Sequence, residues 1–254
     1  MDRGTYIAAS GGLLQFRKLE VMNNNLANVN TPGFKKEMLR SSEQSFDQTL
    51  AAAVAKGDPY ARPDHDRTPG TVSIESITDF SPGPIKNTGN PLDVALRNPH
   101  DFFVVQTAAG TEYTRAGNFT LDENGQIVTQ DGFPVQGDGG AISVTGPGAK
   151  IGTNGAVQAN GQNFGALQVV RIDDPSSLER TGGTRFKLKA GQAGGAAVEP
   201  DLTTSSLEMP NISVISNVVE LITTNRAFDM YTKSAQAIDT LNQTAISQVG
   251  RPRG

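Results

Sequence analysis

Asn23-Asn24-Asn25-Leu26-Ala27-Asn28-Val29-Asn30-Thr31-Pro32-Gly33-Phe34 is the stretch from which the chain is best read. Upstream of it, Tyr6, Ala9, Leu13, Phe16, Leu19, Met22 and Leu26 recur at three- and four-residue steps. That spacing predicts a helix over 5–29 with these residues on one face and Arg17, Lys18 and Glu20 on the other. Gly11-Gly12 is a weak point in it, at about 1 kcal/mol per glycine relative to alanine. The asparagine triplet loosens the last turns, because its amides compete for backbone partners. Thr31-Pro32 stops the helix, since the residue before proline is driven out of the helical region. Gly33 permits the turn, Phe34 is expected to return to an apolar environment, and Lys35-Lys36 are expected to stay in water.

At the other end a second helix is predicted over 214–247. Val214, Val218, Leu221, Phe228 and Ala235 fit a seven-residue stripe broken at Asn225 and Thr232, and Tyr231, Ile238, Leu241 and Ala245 carry the face onward. Between the helices the pattern changes. Residues 37–56 suit a short helix or an extended arm. Residues 57–91 hold six of the fourteen prolines and read as a linker or a surface-hugging loop. From Leu92 the period is two. Phe102–Val105, Glu112–Arg115, Phe119–Leu121, Ile127–Thr129, Ile142–Val144, Leu167–Ile172 and Arg185–Leu188 are candidate strands, with a hairpin loop at Asp122-Glu123-Asn124-Gly125. The fold class is therefore mainly β with terminal α-helices: the N- and C-terminal helices pair as a coiled-coil-like region, and the centre is a β-sandwich or irregular barrel. The expected domains are a discontinuous helical one (1–36 and 206–254), a linker (37–91) and a β-rich one (92–205). On this division the β-domain stays folded without residues 1–34.

Bulk properties narrow the function. Aromatic residues are 6% of the chain, with 28 glycines and no tryptophan, so many short strands around modest cores are expected. A net charge of -4 and no basic stripe argue against nucleic acid as a partner. The absence of cysteine removes disulfides and thiolate metal sites. No run of apolar residues is long enough to span a membrane. No apolar leader follows Arg3, so any exit from the cytosol is expected without a cleaved signal peptide.

The two helices raise the question of what covers them. An isolated helix of this kind is marginal in water, so its apolar face needs a partner. The two terminal stripes suit one another, and a two-helix pair still leaves apolar surface for further copies of the chain. The alternative is that both helices lie on the β-domain as core elements.

The motifs resemble those of a known family. Asn24-Asn25-Leu26-Ala27-Asn28-Val29-Asn30-Thr31-Pro32-Gly33-Phe34-Lys35 is similar to the N-terminal signature of bacterial flagellar rod and hook proteins. Pro91–Leu96, Phe102–Val105, Tyr113-Thr114-Arg115-Ala116-Gly117-Asn118-Phe119 and Asn124–Thr129 resemble its middle. Leu207-Glu208-Met209 with Thr224-Asn225-Arg226-Ala227-Phe228-Asp229 resembles its closing signature. Within the family, Met1-Asp2 with Tyr6 and the run Gly132–Ile142 look most like the proximal-rod branch, with the distal-rod branch close behind.

The resemblance implies a structural subunit of the basal-body rod, exported unfolded through the flagellum's own channel. Such subunits stack with their terminal helices innermost into a hollow, torque-bearing shaft across the periplasm. The implied partners are other copies, other rod proteins and the export apparatus. Candidate interface residues are Leu13, Phe16, Leu19, Met22, Asn24, Asn25, Leu26, Asn28, Pro32, Gly33 and Phe34 at one end. At the other they are Val218, Leu221, Arg226, Phe228, Tyr231, Ile238 and Leu241. From the residues alone, the asparagines read as a frayed helix end bonded to local backbone, and the resemblance turns that reading toward bridges between adjacent subunits. Arg226 reads equally as a solvated residue.

No enzyme, cofactor or metal is expected. His65 lies between Asp64 and Asp66, and His100 between Pro99 and Asp101, but two lone loop histidines make a poor metal site. The loop at Asp122 lacks the closing glutamate of a calcium loop, since position 133 is Phe. No nucleophile elbow, phosphate loop or zinc-protease motif is present. A distal-rod or hook role is the near alternative, and a periplasmic glycan-binding β module is the reading from a different class.

Overall fold

The computed structural model describes residues 3–43, 72–192 and 194–249. Met1-Asp2, His65 and the rest of 44–71 lie outside the described residues, as do the side chains of Tyr6 and Ala245. Two α-helices are described: α1, Arg3–Ala27, and α2, Val214–Val249. Short β-strands fill the rest, and none of the described sheets closes into a barrel.

The chain divides into two compact units. The first comprises Met1–Asn24, Glu37–Ile77 and Ile215–Gly254, and holds most of both helices. It also holds a two-stranded sheet, Glu37–Glu43 with Val72–Thr78. Residues 37–43 are thus extended, the second of the two conformations that their sequence allows. The stretch expected to be a featureless linker instead contributes Val72–Thr78 and a short strand Ile85–Asn87. The run Val72-Ser73-Ile74-Glu75 alternates apolar and polar residues, a short strand signal that the neighbouring prolines obscure.

The second unit, Asn25–Lys36 with Thr78–Val214, is built on an open six-stranded antiparallel sheet. Its spatial order is Leu178–Gly182, Arg185–Leu188, Gly110–Thr114, Asp101–Thr107, Val169–Arg171, Ala196–Val198. The register places Phe103 opposite Thr114 and Val169, and Phe102 opposite Val170. Asp101–Thr107 is apolar on both sides because both faces are covered. Phe103, Val105 and Val169 join Ile151, Val157, Ala159 and Leu167 in one core. Phe102, Val104, Tyr113, Val170 and Phe186 form a second core on the opposite face. Each fully buried phenylalanine there contributes about 1.5–3 kcal/mol relative to exposure.

Smaller ladders complete the unit. Ala156–Ala159 pairs with both Lys150–Ile151 and Gln162–Ala166. The Asp122–Gly125 loop joins Thr120–Leu121 to Ile127–Val128 as a hairpin, with Asp122 Oδ1 accepting from the Asn124 and Gln126 N–H groups. Ile142–Val144, expected as a strand, makes only a single bridge at Ser143. Its backbone instead bonds across to Ile127 and Gly125 while Ile142 and Val144 fill the core.

Candidate subunit surface and the Glu208 junction

In the first unit three contacts bring α1 and α2 together, and they run antiparallel. Tyr231 lies against Gly11, where an added Cβ would fall 2.3 Å from the ring. Phe16 and Phe228 have ring centroids 6.3 Å apart, and Asn217 Nδ2 donates to the Met22 carbonyl at 3.2 Å. The glycines expected to weaken α1 thus form the notch that admits Tyr231.

The covered side of α1 keeps Leu19, Met22 and Leu26 of the expected face but not Leu13 and Phe16, which are exposed. Ala8 and Met22 are buried and Gly12, Gln15, Leu19 and Leu26 half-buried, whereas Leu13 and Phe16 are 56% and 46% exposed. A large ring seats against glycine more closely than against leucine, so the small-residue side faces α2. On α2 the covered stripe runs through 217, 221, 224, 228, 231, 235, 238 and 242, in strict alternation of four and three. The expected face shares Leu221, Phe228, Tyr231, Ala235 and Ile238 with this one, but it runs through Val218, Asn225 and Thr232 where the covered positions are Asn217, Thr224 and Tyr231, and the exposed Val214 and Leu241 fall outside it. Polar residues at covered positions hide a heptad from a count of apolar ones.

The first turns of α2 carry a second, open apolar face. Ile215 is 80% exposed and Val219 56%, with Val218 and Ile222 beside them. Leu241 and Arg226 are also exposed, and Leu221, Phe228, Tyr231 and Ile238 half-buried. Asn24 is exposed, Asn28 and Pro32 are half-buried, and Asn25 is buried.

In the second unit the tightest cluster surrounds Glu208, in the strand Ser206–Glu208 that pairs with Ile85–Asn87. Glu208 Oε1 accepts from Lys35 Nζ at 2.7 Å and from the Gly83 N–H at 3.0 Å. Oε2 accepts from Arg115 Nε at 2.9 Å and Nη2 at 2.6 Å. The Glu208 carbonyl accepts from the Gly33 N–H at 2.8 Å. Arg115 also donates to the carbonyls of Asn98, Asp101 and Leu96, and Lys35 to that of Ser81. All three charged side chains are 1–2% exposed.

Lys35 is therefore not in water, against expectation. It is buried because a carboxylate and a carbonyl satisfy it there. Phe34 is buried as expected. Its ring stacks under the Arg180 guanidinium at 4.7 Å, which also lies 5.0 Å from Phe186 and donates to the Lys35 carbonyl. Gly33 adopts φ +71, and a Cβ on it would meet the Ala116 nitrogen at 2.3 Å. Asn211 closes the same region, accepting from the Lys36 N–H and donating to the carbonyls of Asp79 and Ser81.

The cluster has one negative and two positive charges. Burial alone would push the Glu208 carboxyl up, but Arg115, Lys35 and the Gly83 N–H outweigh it and hold it below the usual carboxylate range. The Glu208 carboxyl is therefore ionised near neutrality. Burial lowers the Lys35 ammonium from its usual range, with the Arg115 charge adding to the effect and the Glu208 and Asp79 carboxylates opposing it. Nothing in the sequence nominates Lys35, Arg115 and Glu208 as partners, yet each stands inside one of the three motif blocks. His100, by contrast, sits exposed in a loop.

A helix pair with an open apolar face, and a β unit fastened by a buried charge cluster, define a structural protein built around cohesion. Three family models match in order: "Flagella basal body rod protein" over residues 6–35, "Flagellar hook protein FlgE/F/G D1 domain" over 98–162, and "Flagellar basal body rod FlgEFG protein C-terminal" over 203–248. The chain is 29% identical to the flagellar basal-body rod protein FlgF of Caulobacter vibrioides, over 99% of both chains. It is 31% identical to FlgG of Bacillus subtilis, over 97% of this chain and 99% of that one, and 31% identical to FlgG of Caulobacter vibrioides over 95% and 97%. The chain belongs to the flagellar basal-body rod and hook protein family. It is accordingly a structural component of the flagellar basal body and not an enzyme. Lys35, Arg115 and Glu208 fall one in each matched segment.

Proposed function

We propose that this chain is a subunit of the proximal rod, and that it assembles with copies of itself and with other rod proteins through its terminal helices. The helices pair as an antiparallel coiled coil, a reading supported by the three cross-helix contacts and the four-three stripe on α2. The stacked subunits form a hollow shaft that carries torque.

The observation behind this reading is the open apolar face of Ile215, Val218, Val219 and Ile222, with Leu13 and Phe16 exposed on α1. So many large apolar side chains in water mark a surface that another protein covers. Arg226 and Leu241, exposed on α2, are a polar and an apolar contact for neighbours. Delivery is through the flagellar export apparatus, and nucleic acid plays no part.

The test is the double substitution Ile215→Asp with Val219→Asp in cells lacking the native protein. The variant is expected to fold, to be absent from purified basal bodies and to abolish swimming. Normal incorporation would overturn the assembly reading. Electron micrographs of basal bodies carrying a tagged copy decide the position, since a distal or hook label would replace the proximal assignment.

A further inference from the structure

Resting on the helix-pair reading, we infer that Asn217 is a register-determining residue, acting together with the Gly11 notch to select one alignment of α1 against α2. A stripe that repeats every seven residues is nearly degenerate: sliding one helix by a heptad, roughly 10 Å at 1.5 Å per residue, re-presents a similar face. Apolar packing alone therefore selects the alignment weakly.

Two observations break the degeneracy. Asn217 occupies a covered position of the stripe, is only 4% exposed, and donates to the Met22 carbonyl. A buried amide tolerates only an alignment that supplies its partner, and a polar residue at such a position fixes register at a cost in stability. Farther along α2, Tyr231 needs a residue without a side chain opposite it, and Gly11 provides one. A heptad slip in one direction carries Tyr231 from Gly11 onto Lys18 and takes Asn217 past the end of α1 to Val29. The opposite slip brings Tyr231 to Gly4 and Asn217 to the Gln15 carbonyl, but leaves the α2 stripe beyond Tyr231 with no α1 residue to face. The two contacts lie two heptads apart on α2 and agree on the same alignment. Fixed register in turn fixes where Leu13 and Phe16 stand relative to Ile215, Val219 and Ile222 along the helix pair.

The test uses the full chain, whose lack of cysteine makes introduced thiols unique. Spin labels at Leu13→Cys and Met230→Cys, both exposed positions, report the helix alignment by double electron–electron resonance. The parent is expected to give one narrow distance. A broad distribution in the parent would overturn the helix pair itself. Adding Asn217→Leu, which suits the stripe better but abolishes the amide, is expected to retain helix content and introduce a second population with the labels farther apart, from a displacement of roughly 10 Å. A single unchanged distance would overturn the register role while leaving the pair intact. Should Asn217→Leu lose its helical signal, Gly11→Ala carries the same test from the other contact, with the same two outcomes.

Discussion

Glu208→Gln keeps the shape of the side chain and removes the charge that Lys35 and Arg115 share. Two buried cations are then left without a counter-charge, and the unfolding free energy is expected to fall by about 3–5 kcal/mol, measured by urea titration of the full chain. The same residue sets an acid dependence. Its folded carboxyl titrates below the unfolded value of about 4.3, so the stability it contributes is fully present above that pH and is lost as pH falls through the folded value. Comparing midpoints of native chain and Glu208→Gln across the acid range checks this: the difference is expected to shrink toward low pH. Gly33→Ala is expected to cost about 1–3 kcal/mol for its positive φ, and more for the approach to Ala116, which no side-chain rotation relieves. The need for glycine at 33 is legible from the Pro-Gly turn. The burial of Lys35 is not, because the partner that makes it tolerable lies 173 residues away in sequence.

At the level of elements, both helices and the central strands are legible from periodicity, to within a few residues at the ends. What misleads is the choice of helix face. Counting large apolar residues selects Leu13 and Phe16, whereas glycine and the polar Asn217 and Thr224 mark the covered side. Two substitutions on α2 separate the two faces. Leu221→Asp places a charge in the covered stripe and is expected to lower helical circular dichroism while amide exchange in the six-stranded sheet is unchanged. Ile215→Asp with Val219→Asp is expected to leave helix content intact and reduce association, read by sedimentation at high concentration. Equal effects of both on helix content would mean that the open face is not open in solution.

Across the whole molecule, the expected independence of the β-domain from residues 1–34 needs revision. Asn25–Lys36 belong to the β unit, with Phe34 1% exposed and Gly33 bonded to Glu208. Removing residues 1–24 is therefore expected to leave that unit cooperatively folded, and removing 1–36 to unfold it or lower its melting temperature markedly, as calorimetry would show. The domain boundary is hard to read because the asparagine-rich end of α1 looks like a frayed terminus, while its role depends on residues that arrive much later. That dependence has a temporal side. A ribosome or a narrow conduit delivers a chain gradually, and this one has its first fastening point at Lys35, its second at Arg115 and its last at Glu208. Closing the loop between the first and the last must wait until roughly four-fifths of the polypeptide has emerged, and long-range closure of this kind is slow. The protein thus carries its own delay: the β unit locks only after its last fastening point, Glu208, has been delivered.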